Sequence, residues 1–323
     1  AAGKKMSCFS YYSTISTSHN LRKKTAACFY IERNQSMKQK QTRKKRHWGW
    51  VLIWLLLGAL LAGLYARFVE PELLIVRRLT LPAQNLKDDC RVVFFTDTHF
   101  GRDKSVSDAV QLVDKINELE PDVVIFGGDL LDNYARDQQQ LDLEMLRIQL
   151  SCIEAPGGKY AVWGNHDWGG GAVRIYQEFM ESCGFQLLKN EGLLLEEYRI
   201  QLMGYDDYLT GDMEQLLNDF QEDMFPLLVA HEPVTANLLA ELPKGGLMLA
   251  GHTHGGQIGV PWIVQRILPP GSGDFVSGLY SLDKAEPEFF RLYVSSGVGT
   301  TRIPMRLLAP PEIVCIDLQR DEL

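Results

Sequence analysis

Five short motifs follow one another in this chain: Asp97-Thr98-His99, Gly128-Asp129, Gly164-Asn165-His166-Asp167, Ala230-His231 and Gly251-His252-Thr253-His254. The chain has seven histidines; His19 and His47 lie in a basic leader, and the other five all fall inside these motifs. Imidazole binds divalent metals and moves protons near neutral pH. A body that uses histidine only there is expected to build a metal site.

Spacing supports that reading. Residues i and i+2 of an extended strand point the same way, so Asp97 and His99 can reach one ion together, as can His252 and His254. Asp129 has two carboxylate oxygens and can bridge two cations, Asn165 offers a neutral carbonyl oxygen, and His231 adds a further imidazole. Two carboxylates, one amide and four imidazoles, with no sulfur, exceed what one tetrahedral ion takes and suit two divalent ions. Mn, Fe and Zn all accept such ligands. Two ions bring +4 against -2 from the aspartates, a local positive charge that attracts a phosphate. Paired metals also acidify a bridging water and clamp the oxygens of an in-line displacement.

Each motif needs an element to hold it, and nearly every one directly follows a short apolar run. Val92–Phe95 leads to Asp97, Val123–Phe126 to Asp129, Tyr160–Trp163 to Asn165, Leu227–Val229 to His231 and Leu247–Leu249 to His252. Such runs read as strands buried on both faces, and open α/β sheets bind ligands at strand carboxyl ends. Helical periodicity lies between them at Val106–Ile116, Leu141–Leu150 and Val173–Met180. Three further runs, Ile200–Met203, Phe289–Val294 and Ile313–Ile316, are expected to complete a second sheet. The fold class is therefore α/β: two packed β-sheets flanked by helices over residues 90–318.

D-x-H, G-D, G-N-H-D, a lone His and G-H-x-H in this order resemble the calcineurin-like metallophosphoesterases. The resemblance covers about residues 90–318, without substitution in any motif. It implies an αββα sandwich and a metal-dependent phosphoric ester hydrolase in which a metal-bound hydroxide attacks phosphorus. Asp97, His99, Asp129 and His254 would hold one metal, and Asp129, Asn165, His231 and His252 the other. His166 would assist the leaving oxygen or the transition state, and Asp167 would orient His166. G-H-T-H-G-G-Q-I, Gly204-Tyr205-Asp206-Asp207, Ser277–Tyr280 and Arg306–Ile313 are similar to the bacterial membrane-anchored branch. That branch implies phosphodiester or pyrophosphate hydrolysis of a cell-envelope or lipid-linked substrate. A UDP-2,3-diacylglucosamine pyrophosphatase is the alternative, and a non-catalytic scaffold of the same fold is the rival of another class. The scaffold is disfavoured because no ligand is missing.

Net charge is -8, but residues 1–46 hold 12 Lys/Arg and one acid, Glu32, which leaves -19 on the rest. An acidic body is a poor nucleic-acid binder, and no nucleic-acid partner is expected. Trp48–Ala66 carries no formal charge over nineteen residues, close to the ~30 Å hydrocarbon core at ~1.5 Å per residue. Lys38, Lys40, Arg43, Lys44, Lys45 and Arg46 precede it, which predicts a single-pass anchor with a cytoplasmic N-terminus and an extracytoplasmic body. A cleaved signal peptide is the competing reading. Residues 1–47 are expected as a disordered leader, with 1–36 upstream of a natural start at Met37. Residues 67–89 read as a linker, and 319–323 as a polar tail whose Arg-Asp-Glu-Leu only approaches an ER-retention signal.

The remaining features are weaker. Six cysteines without a C-x-x-C pair argue against a thiolate zinc site or redox motif, and Cys90 and Cys315 read as core. Arg102 is balanced between a phosphate contact and an ordinary loop residue. Asp206 and Asp207 read as a structural turn rather than a third cation site. Apolar residues within 258–280, among them Trp262, Ile263 and Ile267, are either core or a lip that touches lipid.

Overall fold

Val92 and Phe94 alternate with Val93 and Phe95 along one strand, and all four are buried. One pair faces a second sheet and the other faces helices, which is the pattern of a strand covered on both sides. The computed structural model describes residues 9–212, 220–239, 245–282 and 290–321, with side chains from residue 28 onward except 42–47.

Two units make up the chain, Ala1–Gly63 and Leu64–Leu323. Helix α1 (Phe9–Phe68) supplies the first, so residues with no recognisable element in the sequence are helical from Phe9. No proline interrupts this stretch, and proline is the residue that a helix interior tolerates least. Trp48–Glu72 is long and apolar enough to cross a membrane.

In the second unit the elements in chain order are β1 (Ile75–Ala83), β2 (Cys90–Phe95), α2 (Val106–Asn117), β3 (Val123–Phe126), α3 (Tyr134–Asp137), α4 (Leu143–Ser151), β4 (Lys159–Ala161), α5 (Asn165–Trp168), α6 (Tyr176–Ser182), β5 (Gln186–Leu187), β6 (Glu191–Leu195), β7 (Ile200–Gly204), β8 (Phe225–Val229), β9 (Leu247–Ala250), α7 (Pro261–Val264), β10 (Gly278–Leu282), β11 (Phe290–Val294) and β12 (Glu312–Arg320). Among the described residues the strands form two six-stranded mixed sheets, ordered β1-β12-β2-β3-β4-β5 and β10-β11-β9-β8-β7-β6. Between them lies a core built from Val92, Phe94, Ile125, Val314 and Ile316 on one side and Ile200, Leu202, Leu227, Val229 and Leu249 on the other. Helices α2, α4 and α6 cover the outer face of the first sheet through Leu112, Ile116, Leu146 and Met180. Cys90 and Cys315 are buried, as expected.

Two expectations are corrected. Ile313–Ile316 lies in the first sheet, not the second: β12 inserts between β1, which it pairs in parallel, and β2, which it pairs antiparallel. Residues 67–89 are more than a linker, because they contain β1. That strand lies at a sheet edge and carries Arg77, Arg78 and Pro82. Charges and proline are tolerated on an edge, and they break up the apolar run by which a buried strand is recognised.

Strands β2, β3 and β4 run parallel, as do β7, β8, β9 and β11. Parallel pairing brings the carboxyl ends of β2, β3 and β4 to one edge of the first sheet, and those of β8 and β9 to one edge of the second.

Candidate metal centre

Three of the five motifs leave their strands through a backbone that ordinary residues avoid. Asp97, His99, Asp129, His252 and His254 have φ of 53°, 45°, 60°, 69° and 52°. Left-handed backbone at residues with side chains costs roughly 1–3 kcal/mol and gathers at functional sites. Here it turns each chain back so that the side chains converge. Main-chain bonds fix the turns: the Asp97 N–H donates to the Gly128 carbonyl (2.9 Å), and the Gly251 N–H to the His231 carbonyl (2.9 Å). The His252 N–H crosses to the other sheet and donates to the Asp97 carboxylate at 3.0 and 3.1 Å. The motif glycines are needed for closeness. A Cβ at Gly164 would collide with Asp129 Oδ1, and one at Gly251 with Asp97 Oδ2.

The seven expected ligands meet. His99 Nε2 lies 3.0 Å from His254 Nε2 and 3.5 Å from Asp129 Oδ2. His231 Nε2 lies 3.2 Å from Asp129 Oδ2 and 3.8 Å from Asp97 Oδ1, while His254 Nε2 is 3.4 Å from that same oxygen. His252 Nδ1 lies 3.0 Å from Asn165 Oδ1. His99 and His254 thus gather on one side, Asn165 and His252 on the other, and Asp129 reaches both His99 and His231.

Two of these imidazoles have their tautomer set from behind. His231 Nδ1–H donates to the Gly127 carbonyl (2.8 Å) and His252 Nε2–H to the Pro270 carbonyl (2.7 Å). The opposite nitrogen of each is left as a bare acceptor, the form that binds a metal. Burial pushes the His99 imidazole down to about 3 and the His252 imidazole down to about 4, which keeps both neutral. Burial also works against charging His231, but Asp129 beside it outweighs burial and raises it.

His231 Nε2 is buried among two carboxylates and further imidazole nitrogens, and its raised affinity for a proton reflects how strongly this cluster favours a positive charge. Acceptor lone pairs that face one another at such distances repel, and buried polar groups left in that state are costly. Cations between them remove the conflict, so this donor set fits divalent ions. Two of the groupings able to hold an ion are Asp97-His99-His254 and Asp97-Asp129-His231.

His166 takes a different position. Its Nδ1–H donates to the main-chain carbonyl of Asp132 (2.6 Å), its side chain is 29% exposed, and it lines a cavity of about 400 Å³. Burial lowers its affinity for a proton, but Asp129 and Asp132 outweigh burial and raise it. The expectation that Asp167 orients His166 is corrected. The buried Asp167 carboxylate accepts the N–H groups of Asp129 (2.7 Å), Leu130 (2.9 Å) and Gly164 (2.9 Å). It therefore ties the Asp129 loop to the Asn165 loop. The partner of His166 is three residues beyond Asp129, and no residue pattern marks a main-chain carbonyl in advance.

Arg102 does not reach the cavity; its guanidinium pairs with Asp103 at 3.8 Å. Asp206 and Asp207 do form a turn, accepting the N–H groups of Asp212 (2.8 Å) and Thr210 (2.6 Å). Arg306 was recognised only as part of a longer resembling stretch, yet it is completely buried. Its guanidinium donates to the carbonyls of Ser296 (2.8 Å), Gly297 (3.1 Å) and Ala309 (2.8 Å), and also bonds that of Gly299. The Gly299 N–H in turn donates to the Asp97 carbonyl at 2.6 Å, so Arg306 braces the loop behind an expected ligand. Apolar residues form much of the rest of the cavity wall, including Ile258, Ile263, Ile267 and Ile303.

Comparison with known proteins gives a concordant picture. The family described as calcineurin-like phosphoesterase matches residues 90–256. The uncharacterized metallophosphoesterase YkuE of Bacillus subtilis is 33% identical over 276 residues, covering 81% of this chain and 92% of that protein. An uncharacterized metallophosphoesterase of Campylobacter jejuni is 32% identical, covering 76% of this chain and 63% of the relative. A transmembrane protein with metallophosphoesterase domain from Danio rerio is 31% identical, covering 74% of this chain and 56% of the relative. The chain thus spans nearly the whole of the first relative and less than two thirds of the other two.

Proposed function

This chain belongs to the calcineurin-like phosphoesterases and is a metal-dependent phosphoester hydrolase, and on that premise we propose that it is a membrane-anchored, two-metal enzyme acting on a phosphodiester or pyrophosphate of a lipid-linked or cell-envelope substrate. The observation that carries the reading is the meeting of buried acceptors from both sheets beside one cavity.

Asp97, His99, Asp129 and His254 would hold one ion, and Asp129, Asn165, His231 and His252 the other. When bound, the ions supply Lewis-acid charge to the phosphoryl oxygens and to the attacking water. The protein's own part is positioning. Asp167 locks the Asp129 and Asn165 loops together, Arg306 braces the Asp97 side, and the clustered φ strain is paid in advance by folding. His166, held through Nδ1 by the Asp132 carbonyl, keeps Nε2 for a proton on the departing oxygen.

The apolar wall supports the lipid-linked part of the reading. Ile263, Ile267 and Ile303 line the cavity while remaining 38%, 42% and 48% exposed, and Trp262 on α7 is 74% exposed. Partly exposed apolar groups at a cavity mouth suit an acyl chain, and a segment able to cross a membrane precedes the body. The charge asymmetry around that segment favours a body outside the cytoplasm.

Asp129→Ala tests the centre, because Asp129 stands between both ligand groups. Metal content measured by mass spectrometry and hydrolysis of bis(p-nitrophenyl) phosphate should both collapse. Retained turnover in this variant refutes the two-metal assignment.

A further inference from the structure

Arg302 is the one Lys or Arg among the described residues that line the cavity, and the metal reading gives it no task. Among the described residues its guanidinium has no hydrogen-bond or ion-pair partner. Its loop is nevertheless held firmly. Gln257, three residues past His254, accepts the Thr301 N–H (2.6 Å) and donates to the carbonyls of Thr301 (3.0 Å) and Ile303 (3.2 Å). Both flanks of Arg302 are thereby clamped to the loop that carries two metal-site histidines.

Between those clamps the Ile303 N–H donates back to the Thr301 carbonyl at 2.7 Å. This closes a γ-turn with Arg302 at its centre, at φ +62°. A γ-turn of that hand is rare and strained for a residue with a side chain, and glycine would occupy it at no steric cost. The chain instead places there a forked cation suited to phosphate and carboxylate. Much of the rest of the wall is apolar, at Ile258, Ile263 and Ile267, and the one carboxylate among the described lining residues, Asp129, stands against His99 and His231.

We propose that Arg302 is a specificity residue that binds a second anionic group of the substrate, adjacent to the scissile phosphate. The enzyme then prefers doubly charged, pyrophosphate-like esters to singly charged phosphodiesters. The proposal rests on the phosphoesterase reading of this cavity and adds the substrate's charge to it.

Calorimetric titration of the full-length, metal-loaded protein at constant free Mn²⁺ tests this, with methylenediphosphonate as the doubly charged probe and methylphosphonate as its single-group control. Wild-type protein should prefer the diphosphonate. Arg302→Gly suits the backbone of the γ-turn and should fold, which a thermal melt checks. It should lower the preference on the order of tenfold, the scale of one charge-assisted hydrogen-bonded contact. Arg302→Lys should keep part of it. An unchanged preference in Arg302→Gly, or equal weakening of both probes, overturns the proposal. Failure of both probes to bind wild-type protein overturns the phosphate site itself, and the role of Arg302 with it.

Discussion

Histidine alone does not say which imidazole holds a metal and which moves a proton; the environment of each ring does. His99, His231, His252 and His254 are all 5% exposed or less, whereas His166 stands open to the cavity. Replacing His166 with Gln should therefore leave metal content intact and lower kcat by ~10²–10⁴-fold, the usual worth of a positioned proton donor. Parallel metal analysis and turnover measurements check this, and loss of metal along with activity would make His166 a ligand instead. The ligand types were legible because D-x-H and H-x-H place chemistry at fixed spacing. The role of Asp167 was not. Its carboxylate bonds main-chain N–H groups of residues 35 or more positions away as well as Gly164, and N–H groups are present at every non-proline residue.

The elements that hold the site depend on local signals of uneven strength. Strands β2, β3, β8 and β9 announce themselves as unbroken apolar runs because both of their faces are covered. Edge strand β1 does not, since its outward positions are free to carry arginine. Helix α2 shows a local signal with a measurable consequence. The Asp108 carboxylate accepts the Ser105 N–H at 2.8 Å and Lys104 Nζ at 3.2 Å. Burial raises this carboxyl, but the Ser105 N–H and Lys104 outweigh burial and hold it below the usual range. A depressed folded-state pKa means stability that is present above the unfolded value, ~3.9, and lost as pH falls through the folded value. Asp108→Asn should thus cost ~1 kcal/mol near pH 7, the scale of a helix cap. The gap from wild type should narrow at a pH below that unfolded value. Urea unfolding at both pH values measures it, and a gap that persists in acid would show that the carboxylate's charge is not the cause.

At the scale of the molecule the charge is divided, with a basic stretch before the membrane-competent segment and an acidic body after it. An acidic surface repels phosphate esters, so capture must come from the cavity's own cations. Tethering would also confine the enzyme to two dimensions beside a lipid-linked substrate. A chain beginning after residue 66 should leave the membrane fraction and keep its metals. It should retain activity on a soluble diester while losing much of its rate on substrate in vesicles. Protease added to intact cells should digest the full-length protein's body if the orientation proposed from the charge asymmetry holds. Protection of the body until lysis would place it in the cytoplasm.

The sequence by itself determined the candidate ligand set, the strands that carry it, the family and the segment able to enter a bilayer. Each of these is written in local terms, as residue types at short fixed spacing. Tertiary structure decided what local terms cannot express. It placed β12 between β1 and β2, gave Asp167 to the Asp129 loop, put Arg306 behind Asp97, and brought Gln257 and Arg302 to one cavity wall. Those relations join residues tens to hundreds of positions apart through main-chain groups that every residue possesses, so only the folded chain can select among them.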